Sequence, residues 1–490
     1  MRRNFFYNRC KYGLTCHQIL IRNMQLSFHG AAHTVTGSKH LIELENGKKI
    51  LLDCGMFQGM GKETLTCNST FGFNPTEISY VILSHAHIDH SGLLPKLYAE
   101  GFRGAIYCTP ATVDLGEALL ADSARIQDAD VRHVNKKKEK QGKPIIKPLY
   151  TIDDAVNVSK LFSMVDYDEA FVIDEDVTLL FTDAGHILGS ASVNLTVTEN
   201  GTPTHLTFSG DVGSYTDAIL RMPAPFPQAD YIIIESTYGN SLHEEFNGTE
   251  ETLLEQINHT CIDKKGSLVI PAFSVGRTQE LLFALNSLSI SGRLPKVKYY
   301  VDSPLSITAT EIIKKYPKYY NDNAKDDLQY DKELFNFPGL QLISSREESM
   351  ALNDNTEPMV IISASGMADA GRIKHHIANK IHDERNTIML VGYCSPNGLG
   401  GRLIAGDKEV KIFTEWYNVN AEVATMRSMS AHGDYEDLLH YLECQDACKV
   451  KEVFVVHGEY EVQKSFREKL INKGFKNVRI PEMHQKFSIS

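Results

Sequence analysis

No apolar run in this chain approaches the ~20 residues needed to span a bilayer, which excludes a membrane-spanning protein. Cysteine is sparse. Nine residues, an odd number, are scattered along the chain (Cys10, Cys16, Cys54, Cys67, Cys108, Cys261, Cys394, Cys444 and Cys448). That is too thin for a disulfide scaffold and fits a reducing cytoplasm. Cys444 and Cys448 could share a helix face, but no second pair stands nearby. Positive charge is also short, with a formal net charge of −12. This argues against a broadly basic nucleic-acid coat, but not against nucleic acid in a local groove, because a metal site brings its own positive charge. Repeats, heptads and low-complexity tracts are absent.

Acidic residues are missing from Met1 to Asn23, which carry Arg2, Arg3, Arg9, Lys11 and Arg22. The segment has neither a continuous apolar region nor a small-residue cleavage site, so a secretory signal is not indicated. The strand pattern Met24-Gln25-Leu26-Ser27-Phe28 is expected to begin the folded unit, with residues 1–23 a poorly ordered extension or an upstream start.

What is present describes an ordinary globular protein: 42% hydrophobic and 23% charged residues over 490 positions. That length calls for at least two compact units. From Met24 to about Asp211 the pattern is strand-rich. His40 to Asp53 reads as a hairpin turning at Asn46-Gly47, and Ala191 to Asp211 as one turning at Asn200-Gly201. Ala111 to about Asp130 has helical period, with Leu115, Leu119, Leu120 and Ala124 on one face. The following Asn135 to Lys143 admits two readings, a solvated lysine loop or a contact to a phosphate backbone. From about Asn240, short apolar strands (Gly266 to Pro271, Lys296 to Val301, Met359 to Ser363, Thr387 to Tyr393) alternate with helical stretches at Thr278 to Leu288 and Ser306 to Tyr316. Such alternation predicts a parallel sheet with helical crossovers, and so a separate α/β domain. After Gly400 strands return, then a helix from Asp434 to Leu442 and the strand Glu452 to Val456, ending on His457.

The chemistry centres on Ser84-His85-Ala86-His87-Ile88-Asp89-His90, directly after the apolar run Tyr80 to Leu83. Imidazole and carboxylate are ligands that zinc and its first-row neighbours accept. A polar loop with merely hydrogen-bonded histidines is the plainer alternative. Against it, three more strands end in the same manner. His186 follows Val177 to Phe181, Asp211 follows Leu206 to Phe208, and Asp53 ends Ile50 to Leu52. Seven donors exceed one tetrahedral ion and suit two ions sharing a carboxylate, for which Asp211 has two oxygens. His85 and His87 can point to one ion while Asp89 and His90 serve the other.

His85-x-His87-x-Asp89-His90, His186 and Asp211, with Asp53 ahead of them, resemble the metallo-β-lactamase superfamily. Glu235 in Ile234-Glu235-Ser236-Thr237-Tyr238-Gly239, His432 in Ser430-Ala431-His432-Gly433-Asp434 and His457 in Val456-His457-Gly458-Glu459 match motifs A, B and C of its β-CASP branch. The chain is similar there to bacterial relatives of the cleavage/polyadenylation endonuclease subunit. Gly276-Arg277-Thr278-Gln279-Glu280 and Ser363-Ala364-Ser365-Gly366-Met367 look like segments of that branch's inserted domain. The resemblance implies an αββα sandwich with an inserted α/β domain. The expected division is 24–228 for the first part of the sandwich, 229–399 for the insert and 400–490 for the return.

The same resemblance implies a zinc-dependent ribonuclease. His85, His87, His186 and Asp211 would hold one Zn²⁺, and Asp89, His90, Asp211 and His457 a second, with Mn²⁺ open as a substitute. A hydroxide between the ions would be the nucleophile, with Asp89 among the catalytic carboxylates. His432 would protonate the departing sugar oxygen, oriented by Glu235, and Asp53 would orient the ligands. A histidine at motif C leans the substrate to RNA. Single-stranded RNA would enter the interdomain cleft of a cytoplasmic enzyme that contacts no membrane; a homodimer stays open, as does the choice between endonuclease and 5′-exonuclease. Arg277, Ser365, Gly366 and Ser430 are candidate phosphate contacts. Arg277 pairing with Glu280, and small residues kept for backbone geometry, are the plainer alternatives. Two rivals remain. A thioester or small-molecule hydrolase of the superfamily would not need the insert with Glu235, His432 and His457. A silent RNA-binding scaffold would have lost ligands, and none is missing.

Overall fold

The computed structural model describes residues 24–243, 248–392, 394–426 and 430–490. The expected extension at 1–23, with Cys10 and Cys16, lies outside the described residues. Two seven-stranded sheets stack face to face. The first runs in the order Lys486–Ser488, Gln25–Phe28, His40–Glu43, Lys49–Leu52, Tyr80–Ile82, Ile106–Cys108, Phe162–Met164. The second is ordered Val478–Arg479, Glu452–Val455, Tyr231–Ile234, Thr202–Phe208, Ala191–Glu199, Val177–Asp183, Phe171–Val172.

Side chains alternate across a strand, so each sheet must cover two faces. In the second sheet Tyr231 and Ile233 point into the core between the sheets. Ile232 and Ile234 point outward, under Leu438 and Leu442 and under Phe466 and Leu470 of the helix Tyr460–Lys473. Leu51, Val81 and Leu83 likewise face outward from the first sheet, toward Leu120 and Val158 of its covering helices. Strands covered on both faces read as continuous apolar runs, which is why Ile50 to Leu52 and Tyr231 to Ile234 show no polar alternation. The layers are therefore αββα, as expected.

Both hairpins form at their Asn-Gly turns. Glu43 pairs with Lys49 across one, and Glu199 with Thr202 across the other. Asn200 and Gly201 both take positive φ (52° and 79°), the backbone that a two-residue turn between twisted strands requires. Where the two sheets meet, Phe454 packs its ring 5.3 Å from Phe28 and 4.9 Å from Phe487. Phe454→Ala is expected to cost about 3–5 kcal/mol in chemical denaturation; a loss under about 1 kcal/mol would mean that this junction is not a core.

The third sheet is wholly parallel, ordered Leu340–Leu342, Lys298–Val301, Met359–Ser363, Ser267–Pro271, Thr387–Leu390, Glu422–Thr425. It is the expected α/β insert, and its core is continuous with that of the sandwich. Two strands pair across the expected limits at 229 and 400: Tyr231–Ile234 joins the second sheet and Glu422–Thr425 the third. Pairing between strands this distant is chosen by tertiary packing, which periodicity does not report.

A second difference concerns the helix expected over Ala111 to Asp130. It runs from Pro110 to Lys140, so the lysine run is its last turns and not a loop. Lysine and glutamate are good helix formers, and basic residues suit a helix C-terminus. The first breaker is Gly142, at φ +63°. Among the described residues, no helix is long and apolar enough to cross a membrane.

Candidate metal centre

Six strands deliver the candidate residues to one edge of the sandwich. Thr202–Phe208, Tyr231–Ile234 and Glu452–Val455 are parallel neighbours, so Asp211, Glu235 and His457 leave from the same end. Val177–Asp183 is antiparallel to the strand that separates it from Thr202–Phe208, so His186 emerges there too. In the first sheet Lys49–Leu52 and Tyr80–Ile82 are parallel and release Asp53 and His85 together. Asp53 and His457 both hold a left-handed backbone (φ +58° and +51°), a conformation that costs energy in a side-chain-bearing residue and gathers at functional sites.

The side chains converge tightly. His85, His87, His186 and Asp211 each offer one ligand atom, all within 4.8 Å of one another, and Asp89, His90 and His457 form a second such group. Asp211 stands between the two: its Oδ2 lies 3.5 Å from Nε2 of both His85 and His186 and 3.2 Å from Nε2 of His90, while Oδ1 lies 3.6 Å from Nδ1 of His457. Nε2 of His457 is 3.5 Å from Oδ2 of Asp89.

The ring nitrogens are held in a consistent sense. Nδ1 of His90 binds Oδ2 of Asp53 (2.6 Å), Nδ1 of His186 donates to the carbonyl of Ala431 (3.0 Å), Nδ1 of His457 meets the hydroxyl of Thr237 (3.0 Å), and Nδ1 of His85 meets that of Ser84 (3.1 Å). His85, His90 and His186 are thereby left with Nε2 toward Asp211, and His457 with Nε2 toward Asp89, which is how outer hydrogen bonds orient metal-binding imidazoles. Asp53 also accepts from the backbone N–H and hydroxyl of Ser84 and from the hydroxyl of Ser38, so one carboxylate ties three loops together.

The donor set fits a metal on a direct observation. Nε2 of His85, Nε2 of His87 and both oxygens of Asp211 are buried without a hydrogen-bond partner. Orphaned buried acceptors are costly, and a cation relieves all four at once. Charge points the same way. Burial pushes the His85 and His186 imidazoles well below their usual range, and His87 down to about 4, so all three are neutral and able to ligate. Burial would raise Asp211, but His457, His90 and His432 hold it well below the usual carboxylate range. Asp53→Asn should weaken metal retention roughly 10–100-fold in competition with a chelator; unchanged retention would reduce Asp53 to a loop tie.

His432 stands beside this cluster. Its Nδ1 is 2.9 Å from Oε1 of Glu235 and its Nε2 3.9 Å from Oδ2 of Asp211. Glu235 is fully buried and also accepts from the backbone N–H of Val212 and of Thr237, so its position is fixed. Burial lowers the His432 imidazole, but Glu235 and Asp211 outweigh it and raise the group to about 9.

The candidate substrate contacts divide. Ser365 and Gly366 follow the strand Met359–Ser363 at the carboxyl edge of the third sheet. A Cβ on Gly366 would strike the Phe273 ring, which lies 6.3 Å from His87. That edge thus overhangs the metal cluster. Ser430 accepts from the backbone N–H of His432 (3.3 Å) and so braces its loop. Arg277 is 4% exposed and paired with Glu280, because the helix Arg277–Ile290 sets the two on one face, while its Nη2 is buried without a hydrogen-bond partner. Sequence reasoning missed Thr237 and His243. The Nε2 of His243 donates to the carbonyl of His432 (2.8 Å), and its ring packs on Tyr238. Neither residue carries a signal in the one-dimensional pattern, since each acts through a partner about 190 or more positions away.

Comparison with known proteins places these segments in described families. Residues 37–216 match the metallo-beta-lactamase superfamily, 278–403 the Beta-Casp domain, and 416–481 the Zn-dependent metallo-hydrolase RNA specificity domain. The chain is 35% identical to Ribonuclease TTHA0252 of Thermus thermophilus over 438 residues, covering 89% of this chain and 94% of that protein. It is 30% identical to an RNase J-like protein of Methanocaldococcus jannaschii, covering 93% and 96% of the two. It is 32% identical to Transcription termination factor FttA of Methanosarcina mazei, over 84% of this chain but 63% of that longer protein.

Proposed function

Because the chain belongs to the β-CASP branch of the metallo-β-lactamase superfamily, we propose that it is a metal-dependent ribonuclease that hydrolyses RNA phosphodiester bonds in RNA processing or decay. The observation that carries the reading is the set of orphaned buried ligand atoms on His85, His87 and Asp211, with the His432–Glu235 pair beside them. His85, His87, His186 and Asp211 would hold one cation, and Asp89, His90, Asp211 and His457 the other. Zn²⁺ is favoured by the imidazole-rich set, with Mn²⁺ as an alternative. When bound, the ions would lower the pKa of water toward ~7 and polarise the scissile phosphate.

The chain's own residues supply the rest. Glu235 accepts the Nδ1 proton of His432 and turns Nε2 toward the cluster. The same carboxylate keeps that ring protonated at neutral pH, ready to pass the Nε2 proton to the departing sugar oxygen. Asp53 and Thr237 hold His90 and His457 in register. Ser365 and Gly366, on the overhanging edge, would line the path of a single strand. On this reading residues 24–234 and 426–490 form the catalytic domain and 235–425 the insert, in a cytoplasmic enzyme.

The test is incubation of purified protein with 5′- and 3′-labelled RNA and matching DNA, with and without a chelator. Metal-dependent RNA products with the DNA intact support the reading, and the two labels distinguish internal cutting from 5′-end degradation. Cutting of DNA alone, or of neither, overturns it.

A further inference from the structure

One stretch of this acidic chain is strongly basic. Between residues 125 and 147 stand eight lysines and arginines against three acidic residues. This stretch is the outer end of the helix Pro110–Lys140 and the segment that returns from it. The helix buries side chains only from Ala111 to Ala124. Beyond that point Arg125, Arg132, Lys136, Lys137, Lys140 and Lys143 are exposed. The arm is nevertheless built: the Asn135 side chain clasps the backbone of Ile146 through both its amide nitrogen and its oxygen, each at 2.9 Å. Arg132 pairs with Asp128 (2.8 Å) and Lys138 caps the carbonyl of Pro144 (3.2 Å). Among the described residues, no carboxylate lies within ion-pair distance of Lys136, Lys137, Lys140 or Lys143. Unpaired like charges repel one another, and an anionic partner removes that cost.

The root of the arm is fixed at the candidate metal centre. The hydroxyls of Thr109 and Thr112 both donate to the carbonyl of Gly189 (2.7 and 2.8 Å), in the loop that carries His186. Gly189 takes φ +84°, and a Cβ there would meet the backbone of Thr112 at 2.7 Å, so only glycine lets the helix start this close. On its way out the helix passes the insert, where the Tyr316 hydroxyl reaches Asp114 (3.1 Å). From Pro110 to Lys136 the axis covers about 39 Å.

We propose that this arm is a second, sequence-independent RNA-binding site, holding the phosphate backbone of a single strand whose scissile bond lies in the catalytic cleft. The proposal rests on the ribonuclease reading. At about 3.4 Å per stacked nucleotide and about twice that when extended, a strand needs roughly six to a dozen nucleotides to touch both places. The arm therefore selects long RNA over short, without reading bases.

The test is steady-state cleavage of a 30-nucleotide and a 4-nucleotide RNA of the same sequence around the cut, by the full chain and by a variant carrying Lys136→Ala, Lys137→Ala, Lys140→Ala and Lys143→Ala. Alanine keeps the helix, and none of the four is part of the catalytic machinery. KM for the long RNA should rise about tenfold at moderate salt, with kcat unchanged and the short RNA unaffected. The dependence of log KM on log salt should flatten by roughly 3 for the long RNA only. Arginine at all four positions should restore the parental values. Equal losses on both lengths, or loss with the arginine variant, would point to disturbed folding and overturn the proposal. Unchanged long-RNA kinetics would also overturn it and leave the arm to an acidic protein surface. If the parental chain cleaves neither RNA, it is the ribonuclease reading that fails.

Discussion

Replacing Asp211 by Ala is expected to remove activity on labelled RNA by at least roughly 10⁴-fold and to release bound metal. The reason is position. Asp211 is the residue that the two proposed ligand sets would share, with Oδ2 facing His85, His90 and His186 and Oδ1 facing His457. Without it, His85 and His186 converge with His87 and lose the carboxylate that faces them. The neutral rings of His85, His87 and His186 carry no charge to balance a divalent cation, so affinity would fall. The chemistry forfeited is large, since such cations would lower the pKa of bound water from about 15.7 to about 7. Elemental analysis and a cleavage assay on the same sample check this. Full metal content in Asp211→Ala would mean that Asp211 is not the shared ligand.

His432→Ala is expected to act differently, lowering kcat about 10²–10⁴-fold while metal content stays at the parental level. His432 lies in reach of Asp211 at 3.9 Å, so a ligand role is the competing account; loss of metal in the variant would establish it. A second substrate separates proton donation from mere packing. If the departing sugar oxygen is replaced by sulfur, a far better leaving group, no proton is needed, and the variant should cut that RNA at close to the parental rate. Glu235→Gln should fall between, because it keeps the contact to Nδ1 but not the charge that holds His432 protonated. An equal defect of His432→Ala on both substrates would contradict the acid assignment.

Much of the site was legible because its chemistry is local. His85, His87, Asp89 and His90 sit within six positions, directly after a strand, and the other ligands each follow an apolar run. The Asn-Gly turns announced both hairpins for an equally local reason. What escaped depends on distant partners. Tyr231–Ile234 reads as any buried strand, and only its pairing with Phe208 on one side and Val455 on the other assigns it to the sandwich. Glu422–Thr425 joins the insert by pairing with Thr387–Leu390, a choice made by packing. The helix from Pro110 outran its apolar face because its last turns are held by propensity and by the clasp of Asn135 on Ile146, not by a core. Arg277 has the chemistry of a phosphate contact, yet Glu280 one turn on takes it into the interior. His243 and Thr237 became visible only once the loops they brace were in place.

The most direct test is to strip the purified chain of metal and titrate it with Zn²⁺, following cleavage of an end-labelled RNA and bound metal together. The account predicts no cleavage without metal and a rise that saturates near two ions per chain. Undiminished cleavage by the stripped chain, or saturation of metal binding with no cleavage at any stoichiometry, would contradict it.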